Sequence, residues 1–154
     1  AVAEIINNME EFSEIKLRRA FSNSKMLSAD VNAAFDPTFP SAYEKTNSAY
    51  LGKGVVFSKY TGVRGKSGSN DANAEFIAEV RRIMDENNIS FQTAELGKVD
   101  QGGGGTIAYI LAALNMQVLD AGIPVLSMHS PCEVVSKADL FETYKAFKAF
   151  YKEA

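Results

Sequence analysis

Apolar residues recur along this chain at helical spacing in some segments and in short continuous runs in others, a pattern that predicts alternating helices and strands. Val2, Ile5, Ile6 and Met9 share one helical face with no capping residue ahead of them, so the first residues read as the cut end of a longer domain. Ile15, Leu17, Ala20 and Phe21 predict a second short helix, and residues 25–31 a buried strand ending at the carboxylate of Asp30. Pro37, Pro40 and polar neighbours predict an irregular loop over 36–50. Residues 54–58 read as a strand, followed by a Gly/Ser-rich segment over 62–69. The clearest helix covers 70–87, with Phe76, Ile77, Val80, Ile83 and Met84 as its inner stripe and Glu79, Arg81, Arg82, Asp85 and Glu86 outside. A strand over 90–94 precedes four glycines, 102–105, which lead into a helix carrying Ile107, Ile110, Leu111 and Leu114. Residues 118–119 and 123–128 are sheet-like. Ser136 and Asp139 form a capping box for a last helix that should bury Leu140, Tyr144, Phe147 and Tyr151, with Lys145, Lys148 and Lys152 suited to its C-terminal dipole. The expected fold is α/β, a mostly parallel sheet with helices on both faces, as one domain over 1–154 without internal repeats.

Composition narrows the function classes. The 154 residues are 46% hydrophobic, enough for one domain with its own core. Sixteen Lys and Arg stand against 19 Asp and Glu, and a net charge of -3 argues against a nucleic-acid surface, which needs clustered cations. No apolar run is long enough to cross a bilayer, and the first residues lack the basic and apolar regions of a leader peptide. One cysteine, Cys132, offers no internal disulfide and fits a reducing compartment, so the cytoplasm is the expected location.

Several segments could carry chemistry. Gly65, Lys66 and Ser67 follow a strand and precede a helix, as in a phosphate-binding loop, but the glycine needed five residues before Gly65 is Tyr60. A loop with two exposed cations is the better reading, with nucleotide binding as a weak alternative. Glycines 102–105 and Thr106 permit close backbone approach to a ligand at a helix start, and are equally well a mobile turn. His129, the only histidine, lies just past an apolar run, where ligands collect in open α/β sheets, although a lone histidine is usually structural. It excludes a zinc site of the H-E-x-x-H kind but not a two-metal site built mainly from carboxylates. Asp30 after its buried run calls for pairing or a cation, and its ordinary reading is a turn or cap residue. Glu10 and Glu11 imitate a metallopeptidase acid pair but sit beside Asn7 and Asn8 on a polar helical face. Cys132 has no basic partner to make it a nucleophile, which leaves packing as its expected role.

Four blocks taken in order change the weighting. They are SADVNAAFDP at 28–37, KYTG and RGKSG within 59–68, ELGKVDQGGGGT at 95–106, and SMHSP at 127–131, continued by Glu133, Val134 and Val135. Together they resemble the aspartyl aminopeptidase and aminopeptidase I family of zinc metallopeptidases, especially its bacterial branch, over nearly the whole chain. The resemblance implies the C-terminal part of a three-layer, zinc-peptidase-like catalytic domain. It makes Asp30 and His129 metal ligands, and brings Lys66, Gly103, Gly104, Gly105 and Thr106 to the substrate. It implies two divalent ions, zinc in the first place with cobalt or manganese as alternatives, a peptide substrate, and a homo-oligomer built from dimers, up to a dodecamer. Some members carry a histidine three residues after the metal-binding aspartate; here Ala33 stands there. The family's other histidine ligand, its bridging aspartate, its catalytic Glu pair and its dimerisation domain would precede the matched region. The expected function is therefore metal-dependent removal of N-terminal residues from peptides, with this chain a fragment that is inactive alone. A non-catalytic assembly module is the alternative from a different class.

Overall fold

The core forms where the two strongest helices lie on a sheet, in a computed structural model that describes residues 1–63, 67–98 and 105–154. Helix α3 (Ala74–Glu86) starts at Asn73, whose side-chain oxygen accepts the Phe76 N–H at 2.7 Å, and it buries Phe76, Val80, Ile83 and Met84. Helix α5 (Lys137–Glu153) starts at Ser136 and packs beside it. Beneath them lie β1 (Lys25–Ser28), β7 (Gln117–Gly122), β3 (Val55–Ser58) and β6 (Phe91–Thr93), in that order across the sheet. β1 runs parallel to β7 and β3 parallel to β6, while the central β7–β3 pair is antiparallel. Leu27, Val55, Phe57, Leu119 and Ala121 join the helix side chains in one apolar cluster. Because side chains alternate along a strand, Ser28, Ser58, Val118 and Asp120 face the opposite side.

That side is covered by α4 (Ala108–Ala112) and by a hairpin of β4 (Tyr60–Val63) and β5 (Ser67–Asp71). Ala108 is fully buried there, and the Asn70 amide donates to the Val118 carbonyl at 3.1 Å. Cover on both faces of a mostly parallel sheet gives the expected three layers.

A smaller sheet, β2 (Asn32–Ala33), β8 (Pro124–Leu126) and β9 (Val134–Val135), continues the first. Lys25 faces Gln117 and Asn32 faces Pro124, so β1–β2 and β7–β8 keep one register across an interruption at 29–31 and 121–123. Gly122 permits that interruption, since a Cβ on it would stand 1.6 Å from the Asp30 carbonyl oxygen.

Several expectations change in detail. The strand over 25–31 is two strands with Asp30 in the break between them. The described parts of the Gly/Ser-rich segment, 62–63 and 67–69, belong to β4 and β5, so a strand and not a helix follows residues 64–66, and α3 begins only at Ala74. The apolar stripe over 107–114 is largely exposed; α4 is short and meets the sheet through Ala108. On α5 only Phe147 of the predicted inner stripe packs against the core; Leu140, Tyr144 and Tyr151 face out, the last 81% exposed, whereas Asp139, Ala146, Ala149 and Phe150 are buried. Small residues bring this helix close to the sheet, and its outer aromatics are instead met by cations, Lys145 over Phe141 and Lys148 over Tyr144. Ser136 accepts the Ala138 N–H at 3.2 Å, but Asp139 accepts the N–H groups of Gly52 and Gly54 at 2.7 and 2.8 Å and so ties a distant loop to the helix. Cys132 is exposed rather than packed. Helix α1 (Val2–Met9) buries none of its residues, and α2 (Glu14–Ser22) lies against it.

Candidate active site

Asp30 sits in the interruption of the long ladder, half-buried. Its Oδ1 accepts the N–H of Val31 at 2.9 Å, and its other oxygen makes no hydrogen bond to a described residue. The carboxylate is thus oriented by its own backbone and keeps one oxygen for a further partner.

His129 lies in the turn joining β8 to β9 and is exposed. Its backbone is left-handed, φ 67°, as is that of Ser127, φ 56°, a conformation uncommon for residues with a Cβ. Glu133 braces the turn by accepting the His129 N–H at 2.6 Å, and Ser130 bonds to both the amide and the carbonyl of Cys132. The imidazole nitrogens make no hydrogen bond to a described residue, so the ring is available as a ligand. By register Asp30 lies beside Gly122 and His129 beyond Leu126; no hydrogen bond or ion pair joins the two. Among the described residues, no three Asp, Glu, His or Cys side chains form a complete metal cage.

Behind these positions lies a polar layer that reading the sequence did not single out. Asp120 of β7 is only 3% exposed and stands in register with Ser28 on one side and Ser58 on the other. Thr106 lies 2.5 Å from Asp120 Oδ2 and 3.2 Å from the Thr61 hydroxyl, and accepts the Ala108 N–H at 3.3 Å. The Asn32 amide donates to Ser58 at 2.7 Å. Ser28 Oγ, Asn32 Oδ1 and Asp120 Oδ1 have no hydrogen-bond partner among the described residues. Burial pushes the Asp120 carboxyl above the ordinary carboxylate value, with the nearby Asp30 charge in the same direction; Thr106, Ser28 and Thr61 oppose the shift without cancelling it. The available signal was a carboxylate inside the apolar run 118–128.

Of the remaining candidates, Lys66, Gly103 and Gly104 lie outside the described residues, as does Arg64. Gly105 is exposed, and Thr106 is buried with its hydroxyl turned to Asp120. The strand that follows residues 64–66 removes the strand-loop-helix order a phosphate-binding loop requires. Glu10 and Glu11 are exposed just beyond α1, with Lys16 bonded to the Glu10 carboxylate at 2.8 Å and to the Glu11 carbonyl at 2.6 Å. Glu95, in the block at 95–106, has its carboxyl pushed up by burial and by Asp71, with Lys59 opposing.

The layered α/β fold thus carries a carboxylate and an imidazole in its strand-end loops. The family model for aminopeptidase I zinc metalloproteases (M18) matches residues 1–151, and the chain belongs to that family. A Clostridium acetobutylicum protein described as a probable M18 family aminopeptidase 1 is 62% identical over 149 residues, covering 97% of this chain and 32% of its own length. The crystal structure of the Thermotoga maritima M18 aminopeptidase superimposes with a TM-score of 0.89 at 45% identity, covering 96% of this chain and 33% of that one. The S. cerevisiae mApe1 dodecamer structure gives 0.71 at 25% identity, covering 93% and 29%. The chain therefore spans about a third of the length of the relatives it matches. No described helix is long and apolar enough to cross a membrane.

Proposed function

We propose that this chain is the C-terminal part of the catalytic domain of a metal-dependent aminopeptidase, which in its complete form removes N-terminal residues from peptides. The observation that carries the reading is the family match along residues 1–151 together with two unengaged donors, one Asp30 oxygen and the His129 ring. A carboxylate and an imidazole suit zinc. Asp30 and His129, which make no contact with each other, serve different ions of a two-metal pair and share it with ligands from the rest of the enzyme. When bound, the ions polarise the scissile carbonyl and lower the pKa of a water. Asp30 presents its free oxygen from a backbone position fixed by Val31 and Gly122, and the Glu133-braced turn presents the imidazole. By the family resemblance, Lys66, Gly103, Gly104, Gly105 and Thr106 contribute to the substrate site. The proton from water goes to a glutamate outside this sequence, so the chain alone is inactive. The complete enzyme is cytoplasmic and assembles as a homo-oligomer built from dimers, up to a dodecamer.

Zinc content and peptidase turnover of the complete enzyme test this directly. The expected result is two zinc ions per subunit, with His129→Ala losing one ion and about 10²-fold or more in turnover while keeping its circular dichroism spectrum. Full zinc content and unchanged turnover in that variant would overturn the assignment.

A further inference from the structure

We infer that Asp120 is a positioning residue for peptide hydrolysis, holding Thr106, and through it the end of the glycine run, in register with the strand interruption that carries Asp30. The inference rests on the proposed function, but the anchor is visible without it. Thr106 is the first residue after the four glycines, and α4 begins two residues later. Gly105, directly before Thr106, has little conformational preference of its own, so its placement depends on what holds Thr106.

The Thr106 hydroxyl has three neighbours: the Asp120 carboxylate at 2.5 Å, the Thr61 hydroxyl at 3.2 Å and the Ala108 N–H at 3.3 Å. A hydroxyl has one proton, and the shortest of these contacts is with the carboxylate. Thr106 therefore donates to Asp120 and accepts from Ala108, with the Thr61 hydroxyl alongside at 3.2 Å. One side chain thereby joins the glycine run, the start of α4, the β4–β5 hairpin and the central strand β7. Asp120 stands level with Ser28, two residues before Asp30, in the same parallel ladder. A shift of Thr106 relative to β7 is thus a shift relative to Asp30.

An apolar residue at 120 would fill the space but leave the Thr106 hydroxyl without its acceptor. A buried carboxylate with one oxygen unpartnered, and no described cation beside it, is a costly way to fill a layer. The hydrogen bond that fixes Thr106 gives the carboxylate a purpose that an apolar side chain could not serve.

The test uses the complete enzyme and four variants: Thr106→Val, Thr106→Ser, Asp120→Asn and the double Thr106→Val/Asp120→Asn. Thr106→Val keeps the shape and removes the hydroxyl. The expected loss is about 10- to 10²-fold in kcat/KM, mainly in kcat, with zinc content intact, because small misplacements act on the transition state. Thr106→Ser restores most of that loss. The double variant is no worse than Thr106→Val, since both changes act on one contact. Amide exchange at 105–108 should rise in Thr106→Val and stay low in Thr106→Ser, a readout that holds even if the enzyme lacks peptidase activity. Unchanged exchange in Thr106→Val overturns the anchor. Intact kcat with raised exchange overturns the positioning role while leaving the metal assignment standing. Failure of His129→Ala to lose zinc overturns the metal assignment and not the anchor.

Discussion

Replacing Gly122 by Ala tests the link between the long ladder and the proposed metal ligand. The added Cβ would lie 1.6 Å from the Asp30 carbonyl oxygen, 2.6 Å from its carbon and 3.1 Å from the Val31 Cα. Opening the first contact to an ordinary separation of about 3.2 Å requires a movement of roughly 1.5 Å, and both sides are backbone. Bond-angle strain cannot absorb this, since about 7° already costs around 1 kcal/mol. The ladder must open at its interruption, carrying Asp30 away from its position.

Overpacking in a well-packed interior costs about 1–3 kcal/mol and occasionally more; a backbone-to-backbone clash belongs at or above the upper end. Displacing a ligand by about 1 Å should also weaken metal-dependent activity about 10²-fold. Gly54→Ala is the matched control. Its Cβ would meet the Ser90 carbonyl oxygen at 2.0 Å, and its φ of 88° adds strain, but it contacts the residue before β6 and not Asp30. Denaturant titration and zinc affinity should be measured on both variants in the complete enzyme. Both should lose stability, and Gly122→Ala alone should lose zinc affinity. Wild-type stability with wild-type zinc affinity in Gly122→Ala would refute the account of the break, and equal zinc loss in both variants would refute its local character.

Glu133→Ala should weaken zinc binding about tenfold by releasing the left-handed turn at His129, whereas Glu133→Gln, which still accepts the His129 N–H, should stay near wild type in a chelator competition. Asp139→Ala should cost about 3 kcal/mol, read from the denaturation midpoint, because the N–H groups of Gly52 and Gly54 lose a charged acceptor. Burial raises the Glu142 carboxyl, but the Lys145 hydrogen bond, the Ser90 N–H and the Lys145 charge outweigh it, leaving the group below its ordinary value of 4.5. Its contribution is present above pH 4.5 and lost as pH falls through the lower folded value; Glu142→Gln should flatten that part of the acid stability profile, and an unchanged profile would refute the pairing.

The sequence was most legible where one period dominated. The α3 stripe at Phe76, Val80, Ile83 and Met84 is the buried face because four large apolar groups at helical spacing leave a single way to pack. On α5 the same reasoning selected Leu140, Tyr144 and Tyr151, which are exposed, because it weighs side-chain size and not the close approach that Ala146 and Ala149 allow. The Gly/Ser-rich segment misled for a different reason: residues 67–71 form a strand by pairing with the neighbouring β4, and a run of small polar residues lacks the apolar alternation that would announce it. Asp30 and His129 drew notice as a carboxylate and a histidine near apolar runs, yet only the ordered blocks of family resemblance raised them above turn and surface residues. The polar layer under them was hidden by register. Ser28, Ser58 and Asp120 are far apart in sequence, and become neighbours only when β7 settles parallel to β1 and antiparallel to β3. The same register places Gly122 against Asp30, so a residue without a side chain constrains the proposed ligand as strictly as its own hydrogen bond does.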